Sequence, residues 1–243
     1  MRELIDDEDV RAASGNHPLI AHAVPYRVPG GRTAYAHGAA MALRYDYWDV
    51  PSWFAVGPDA DLAELVPQLP PGPPEEHLAV PQSSAGLLTG AEHFPWGFAW
   101  RSQPVGAVAG AAEWLPSAAA PEVDELLDAS FPHASTRPIS PKANRWAGIR
   151  DQHGTLVACI VDSSGSGDVG FVASLTVASS HRGRGLGERL LGWTVDELLT
   201  DRARVGLWYE GTNQHAIAIY ERLGFEQLPM VSASFRRGPS DAP

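Results

Sequence analysis

The residues best suited to chemistry fall in one run, Val177-Ala-Ser-Ser-His-Arg182-Gly183-Arg184-Gly185-Leu186-Gly187-Glu188. Glycines there let the backbone take positive φ and let a ligand come close to the main chain. The apolar run Val169–Val177 before it predicts a strand. After it, Leu190, Leu191, Thr194, Val195 and Leu198 recur at helical spacing and predict an amphipathic helix over Gly185–Leu199. The first amides of a helix have no intrahelical partner and lie at the positive end of its dipole. Such a turn binds phosphate or pyrophosphate, and Arg182 and Arg184 add positive charge. A P-loop would need a Gly-Lys-Ser/Thr ending, which is absent. A dinucleotide fingerprint would need a third glycine where Glu188 stands, and the turn after Val177 is too long for it.

A second segment follows at Asn213-x-x-Ala216-x-x-x-Tyr220-Glu-Arg-Leu-Gly224-Phe225. It predicts a helix over Asn213–Leu223. Seven helical residues turn through about 700°, so Asn213 and Tyr220 share a face about 10 Å apart along the axis.

Together these segments resemble the GNAT acyltransferases. Arg182-x-x-Gly185-x-Gly187 matches the family's Arg/Gln-x-x-Gly-x-Gly/Ala signature, and the Asn213–Phe225 segment looks like its Asn-x-x-Ala-x-x-x-Tyr-x-x-x-Gly-Phe stretch. The resemblance covers roughly residues 95–238. It implies acetyl-coenzyme A as acyl donor, bound by Leu175, Thr176, Val177, Arg182, Gly183, Arg184, Gly185, Leu186, Gly187, Glu188, Asn213, Ala216 and Tyr220. By resemblance, pantetheine pairs with the strand at Leu175–Val177. Main-chain groups there steady the charge that develops on the acetyl oxygen. Asn213 bonds the pantetheine or diphosphate region, and Tyr220 is the general acid for the departing thiolate. Many family members carry a glutamate early on this strand as general base, yet Val169–Val177 holds no carboxylate. That leaves Glu210 or Asp168, each acting through water.

The remaining candidates have simpler readings. His17 and His22 sit five apart in a Pro-containing stretch that reads as a loop, without metal-ligand spacing, and no metal is expected. His181 and His215 border the two segments and read as surface histidines. Cys159, the only cysteine, lies among Val157, Ile160 and Val161 and reads as a small buried hydrophobe.

These segments must be held by elements legible around them. Pro121–Phe131 predicts a helix. Arg145–Arg150 and Thr155–Val161 predict a hairpin about Asp151-Gln-His-Gly154. Val205–Tyr209 predicts a strand, and Phe225–Phe235 an extended stretch broken at Pro229. This order makes an α/β layer on a mixed sheet, a GNAT core over residues 95–238. Residues 1–90 form a smaller N-terminal α/β region on the acceptor side, open to a reading as a degenerate half-GNAT and faintly like glycine-acyltransferase-like members. Within it, Arg32–Tyr47 predicts a strand pair and Asp59–Leu69 a short helix. Six prolines in residues 67–81 predict no regular element. Five of eight tryptophans fall between Trp48 and Trp114 and read as packing.

Composition bounds the rest. The 243 residues suffice for a sizeable core, and 44% apolar with 19% charged residues argues against disorder. One cysteine rules out a disulfide framework. No apolar run approaches a membrane span, and the acidic N-terminus lacks a signal-peptide core, so a cytoplasmic protein is expected. The Ala, Gly and Pro richness, with one lysine among 18 basic residues, suggests a GC-rich bacterial genome of actinobacterial type. A net charge of −11 disfavours nucleic acid and anionic membranes. Residues 1–140 carry 18 acidic against 7 basic side chains, while residues 141–243 carry 11 of each. The expectation is an N-acetyltransferase acting by direct attack of a small-molecule amine, cationic in character, as a monomer or homodimer. The alternatives are a non-catalytic acyl-CoA-binding module and a protein N-terminal acetyltransferase.

Overall fold

The computed structural model describes residues 1–28, 33–46, 51–70, 76–88, 92–107, 110, 112–165 and 167–234. In chain order, the first elements are β1 (Arg2–Glu3), α1 (Asp7–Ala13), α2 (Pro18–Ala23), β2 (Ala34–His37), β3 (Ala40–Tyr45), β4 (Ser52–Val56), α3 (Asp59–Leu65) and β5 (His77–Pro81). Then come β6 (Phe94–Arg101), β7 (Glu113–Trp114), α4 (Ala120–Ser130), β8 (Arg145–Arg150), β9 (Leu156–Asp162) and β10 (Val169–Val177). The chain closes with α5 (Leu186–Leu198), β11 (Arg204–Glu210), α6 (Gln214–Arg222) and β12 (Glu226–Ser234). They fold into two compact units, one of Met1–Phe98, Tyr209–Gln214 and Gln227–Pro243, the other of Ala99–Trp208 and His215–Glu226. The division falls inside β6, β11, α6 and β12.

In the first unit the strands run β1-β2-β3-β4-β5-β12. All neighbours are antiparallel except β4 and β5, which are parallel. Strand β4 is buried along its whole length, so its residues run apolar without alternation. Leu62, Leu65, Val66 and Leu69 close over Trp53, Leu78 and Val80 to form its core. Pro67 turns the end of α3 into a 3-10 turn over Val66–Gln68. The proline-rich stretch does form a strand. Strand β5 has no proline inside it and reaches one only at its last residue, Pro81, so its ladder amides are intact. Strand β12 likewise runs through Pro229, whose missing amide costs no bond to β5 because that pairing starts at Met230. The loop expected around His17 and His22 is helical: Pro18 takes the first turn of α2, where its lack of an amide is harmless, and His17 caps it. Trp48, Pro71, Pro73, Pro74 and Phe235, and residues 32 and 47 of the expected strand pair, lie outside the described residues.

In the second unit the order is β11-β10-β9-β8-β7, with β10 and β11 parallel and the rest antiparallel. The hairpin β8–β9, strand β10 and helices α4 and α5 stand where the pattern places them, to within one residue at each end. Helix α5 buries Leu190, Leu191, Thr194, Val195 and Leu198. Helix α4 buries Val123, Leu126 and Leu127 against Trp146, Cys159 and Val161. Each such large side chain removed from water stabilises the fold by about 1.5–3 kcal/mol. The architecture is the expected α/β one on a mixed sheet.

Candidate functional site

The site is built from β10 outward. Its pairing with β11 runs over three rungs, Val169 with Arg204, Gly170 with Val205 and Phe171 with Gly206. Strand β10 then continues to Val177 with β9 as its partner. Along β9 the register is Ala173 opposite Val161, then Thr176 opposite Cys159. Two residues, Ser174 and Leu175, therefore face the single residue Ile160, which is a β-bulge. Ser174 holds φ 52°, a left-handed conformation uncommon for a non-glycine residue. Its hydroxyl accepts from the Thr136 amide at 3.2 Å and donates to the Thr136 carbonyl at 3.0 Å. The Thr176 hydroxyl donates to the Ser174 carbonyl at 3.1 Å. Bulge and splay together leave the main chain of Leu175, Thr176 and Val177 without a β11 rung.

A short 3-10 turn at Ser179–His181 leads into the glycine loop. Gly183 and Gly185 both need their glycine, at φ 74° and 71°. A Cβ added at either would meet nothing within 4 Å, so the space beside the loop is open. Gly185 is the N-cap of α5 and offers no side-chain hydrogen bond. The opening amides at Leu186, Gly187 and Glu188 are thus served by no cap, and the helix dipole favours negative charge there. A Cβ added at Gly187 would make only ordinary contact with Val177, at 3.5 Å, so the first turn of α5 packs beside β10 without requiring glycine there. This donor set fits a diphosphate.

The two arginines fix the loop. Arg182 donates through Nε to the Val177 carbonyl at 3.2 Å and through Nη2 to the Ser130 carbonyl at 3.0 Å. Arg184 donates to the Ser180 carbonyl at 3.2 Å. Both side chains are exposed, so their charge still faces solvent. Glu188 accepts from Arg222 at 2.9 Å, joining the first turn of α5 to the last turn of α6. The sequence carries no signal for that pair, because its partners lie 34 residues apart.

On α6, Tyr220 is buried at 8% exposure with its ring 5.9 Å from Phe225, and Ala216 is half-buried one turn earlier. Asn213 precedes the helix, is exposed, and donates its amide to the Glu210 carbonyl at 3.0 Å. It belongs to the first unit, as does Glu210, which is exposed at the end of β11. Asp168 is exposed before β10, and its carbonyl accepts the Ala203 and Arg204 amides. It stands six residues before Ser174, about 20 Å along an extended strand. His181 is half-buried beside the Ser180 hydroxyl, and His215 is exposed. Cys159 is fully buried, which pushes its thiol up to about 12 and leaves it inert as expected. No group of side chains among the described residues could hold a metal ion. No described helix is long and apolar enough to cross a membrane.

Sequence reasoning missed Ser174, Thr136 and Ser130. A serine in the left-handed region has no compositional mark, and main-chain partners have none at all.

Residues 111–225 match the family described as the acetyltransferase (GNAT) family. No curated protein matches the chain. Among solved structures, a GNAT-family protein from Novosphingobium aromaticivorans is 20% identical at a TM-score of 0.57, covering 89% of this chain and 97% of that one. A GCN5-related N-acetyltransferase from Kribbella flavida is 16% identical at 0.56, covering 94% and 96%. Another from Sphaerobacter thermophilus is 16% identical at 0.54, covering 87% and 83%. At these identities the structural likeness speaks to the fold.

Proposed function

We propose that the chain, whose residues 111–225 match the acetyltransferase (GNAT) family, is an acetyl-coenzyme A-dependent N-acetyltransferase acting on the primary amine of a small molecule by direct attack. One observation carries the reading. The stretch of β10 after its bulge, which pairs with β9 but has no β11 rung, leads through the Ser179–His181 turn and the glycine loop to a helix start capped by a left-handed glycine. The first feature suits an extended amide-bearing arm and the second a diphosphate.

Acetyl-coenzyme A would supply the activated acetyl group, and this chain the rest. The loop from Arg182 to Glu188 would hold the diphosphate through its amides, with Arg182 and Arg184 keeping the loop in shape. Leu175, Thr176 and Val177 would pair with the pantetheine arm as an added strand. Tyr220 would donate its proton to the departing sulfur, and Asn213 and Ala216 would bound the arm along α6. An amine must shed a proton to react. Asp168 lies about 20 Å of strand away from the bulge, too far for one bridging water. No carboxylate of the second unit is therefore assigned to that step, which is left to water. The acidic balance of residues 1–140 favours a cationic amine, drawn in by a field that salt screens.

The test is free-thiol release from acetyl-coenzyme A over a panel of amino-acid amides, polyamines and aminoglycosides, with mass spectrometry of the products. We expect thiol release stimulated by cationic amines and an N-acetyl product. Thiol release that no amine stimulates would replace this reading with a non-catalytic acyl-CoA-binding module. For the best amine, kcat/KM should fall as salt rises from about 0.01 to 0.5 M. A salt-independent value with a preference for anionic amines would remove the charge argument.

A further inference from the structure

The segment Ser130–Thr136, which links α4 towards β8, is tied at both ends to residues of the proposed donor site. At its start, the Ser130 carbonyl accepts from Arg182 of the glycine loop at 3.0 Å. At its end, Thr136 exchanges two hydrogen bonds with the Ser174 hydroxyl at the β10 bulge, at 3.2 and 3.0 Å. Just past its end, Arg137 reaches back to the Pro132 carbonyl at 2.9 Å and pairs with Asp128 of α4 at 2.7 Å. The Ala134 amide bonds the Phe131 carbonyl at 3.0 Å. The segment is therefore a strap held at both ends by hydrogen bonds. Its anchors differ in kind. The arginine bonds are exposed, whereas Ser174 and Thr136 are buried at 7% and 1%. Ser174 also holds its hydroxyl in place with a left-handed backbone, at φ 52°. Glycine would sit in that region without strain, and serine adds the hydroxyl that makes both bonds to Thr136.

We propose that Ser174 is a positioning residue for the acceptor: its paired bonds to Thr136 hold the strap 130–136 beside the acyl end of the donor groove, where the strap forms one wall of the acceptor pocket. The reading rests on the function proposed above, in which Leu175–Val177 take the donor's arm, so the residue before them borders its acyl end. Phe131, at 40% exposure, and the exposed His133 are the strap's side chains available to that pocket. An apolar ring beside a polar imidazole suits an acceptor with an apolar or aromatic portion next to its amine.

Two variants of the full chain separate positioning from stability. Ser174→Gly removes the hydroxyl and accepts the left-handed backbone, so it loses the anchor without added strain. Ser174→Ala loses the same anchor and keeps the strain, so it should melt lower. If Ser174 positions the strap, both variants lose kcat/KM for the most active amine of the panel by the same roughly 10- to 100-fold, whatever their melting temperatures. KM for acetyl-coenzyme A and its thermal shift should stay within about twofold of wild type, because the glycine loop is untouched. Hydrogen exchange of the amides at 131–136 should accelerate in both variants, a readout that needs no acceptor. Unchanged exchange in that segment overturns the proposal. So does an amine kcat/KM that stays at the wild-type value in Ser174→Gly, or that falls only in step with melting temperature. Failure of wild-type protein to bind acetyl-coenzyme A would instead overturn the underlying reading, so the two failures are distinct.

Discussion

In the unit built on Met1–Phe98 a carboxylate that leaves the surface is met by an arginine, while in the unit built on Ala99–Trp208 the first amides of α5 have no side-chain cap and β10 outruns its pairing with β11. Glu76 is fully buried and pairs with Arg44 at 2.6 Å, and its second oxygen has no partner. His22 is buried within α2, against the rings of Tyr26 and Phe98 at 5.7 and 6.2 Å. Trp53, Phe54 and Phe98 are almost wholly inside the same unit. The second unit instead puts positive-φ glycines at an exposed turn and a bulge in a strand that parts from its neighbour. Local irregularity is tolerated where neighbouring structure fixes it, and it concentrates where ligands bind. The difference teaches that the first unit's polar groups should govern stability and the second's should govern binding.

The sharpest break of that comparison is Gly185→Val. The site has room for the side chain but demands φ 71°, which a β-branched residue resists. We expect the thermal shift given by acetyl-coenzyme A to vanish while the fold persists. A shift equal to wild type would detach the glycine loop from the donor. The matching test in the first unit is Arg44→Met. It strands the Glu76 carboxylate in the core, at a cost of about 3–5 kcal/mol. Arg44→Met with Glu76→Leu should recover most of that loss in denaturant melts. If the single variant melts like wild type, the buried pair is not the stability element it is taken to be here.

A smaller effect is expected at Tyr220. Phenylalanine keeps the packing on Phe225 and removes only the hydroxyl. We expect kcat to fall roughly 10- to 1000-fold, with little change in acetyl-coenzyme A affinity. Unchanged kcat where chemistry limits turnover would remove Tyr220 from the reaction and make it a core residue like those of the first unit.

The two units also differed in how plainly the sequence announced them. Strand β10 and helix α5 were legible because an apolar run, a glycine-rich turn and a 3.6-residue period follow one another without conflict. The hairpin β8–β9 was legible for the same reason, with Asp151–Gly154 marking its turn. Strand β5 was not, because the surrounding prolines hid four residues, His77 to Val80, whose amides are intact. The anchor at Ser174 was not, because it depends on φ at a serine and on the main chain of Thr136, 38 residues away. The Arg44–Glu76 pair was not, since 32 residues separate partners that only the packed sheet brings together. Signals carried by spacing within one element survive in the sequence. Those made by contacts between elements do not.

The mildest test concerns His22, where the first unit's way of handling polar groups becomes a pH dependence. Burial pushes the imidazole down from 6.5 to about 3, because the charged form cannot be solvated inside α2 and its aromatic neighbours. The folded state therefore keeps His22 neutral, while the unfolded chain takes up a proton below pH 6.5. The unfolded state binds more protons between those two values, so stability falls as pH drops through that window and levels off below about 3. The slope from this one residue is at most about 1.4 kcal/mol per pH unit. Carboxylates titrate over part of the same range, so the informative quantity is the difference between wild type and His22→Phe, which keeps an aromatic ring and cannot titrate. From pH 7 to pH 4 the wild type should lose stability faster than the variant, with the gap opening near pH 6.5. Melts of the two proteins that stay parallel across that range would show that His22 reaches solvent, and that the first unit does not exclude charge as its packing implies.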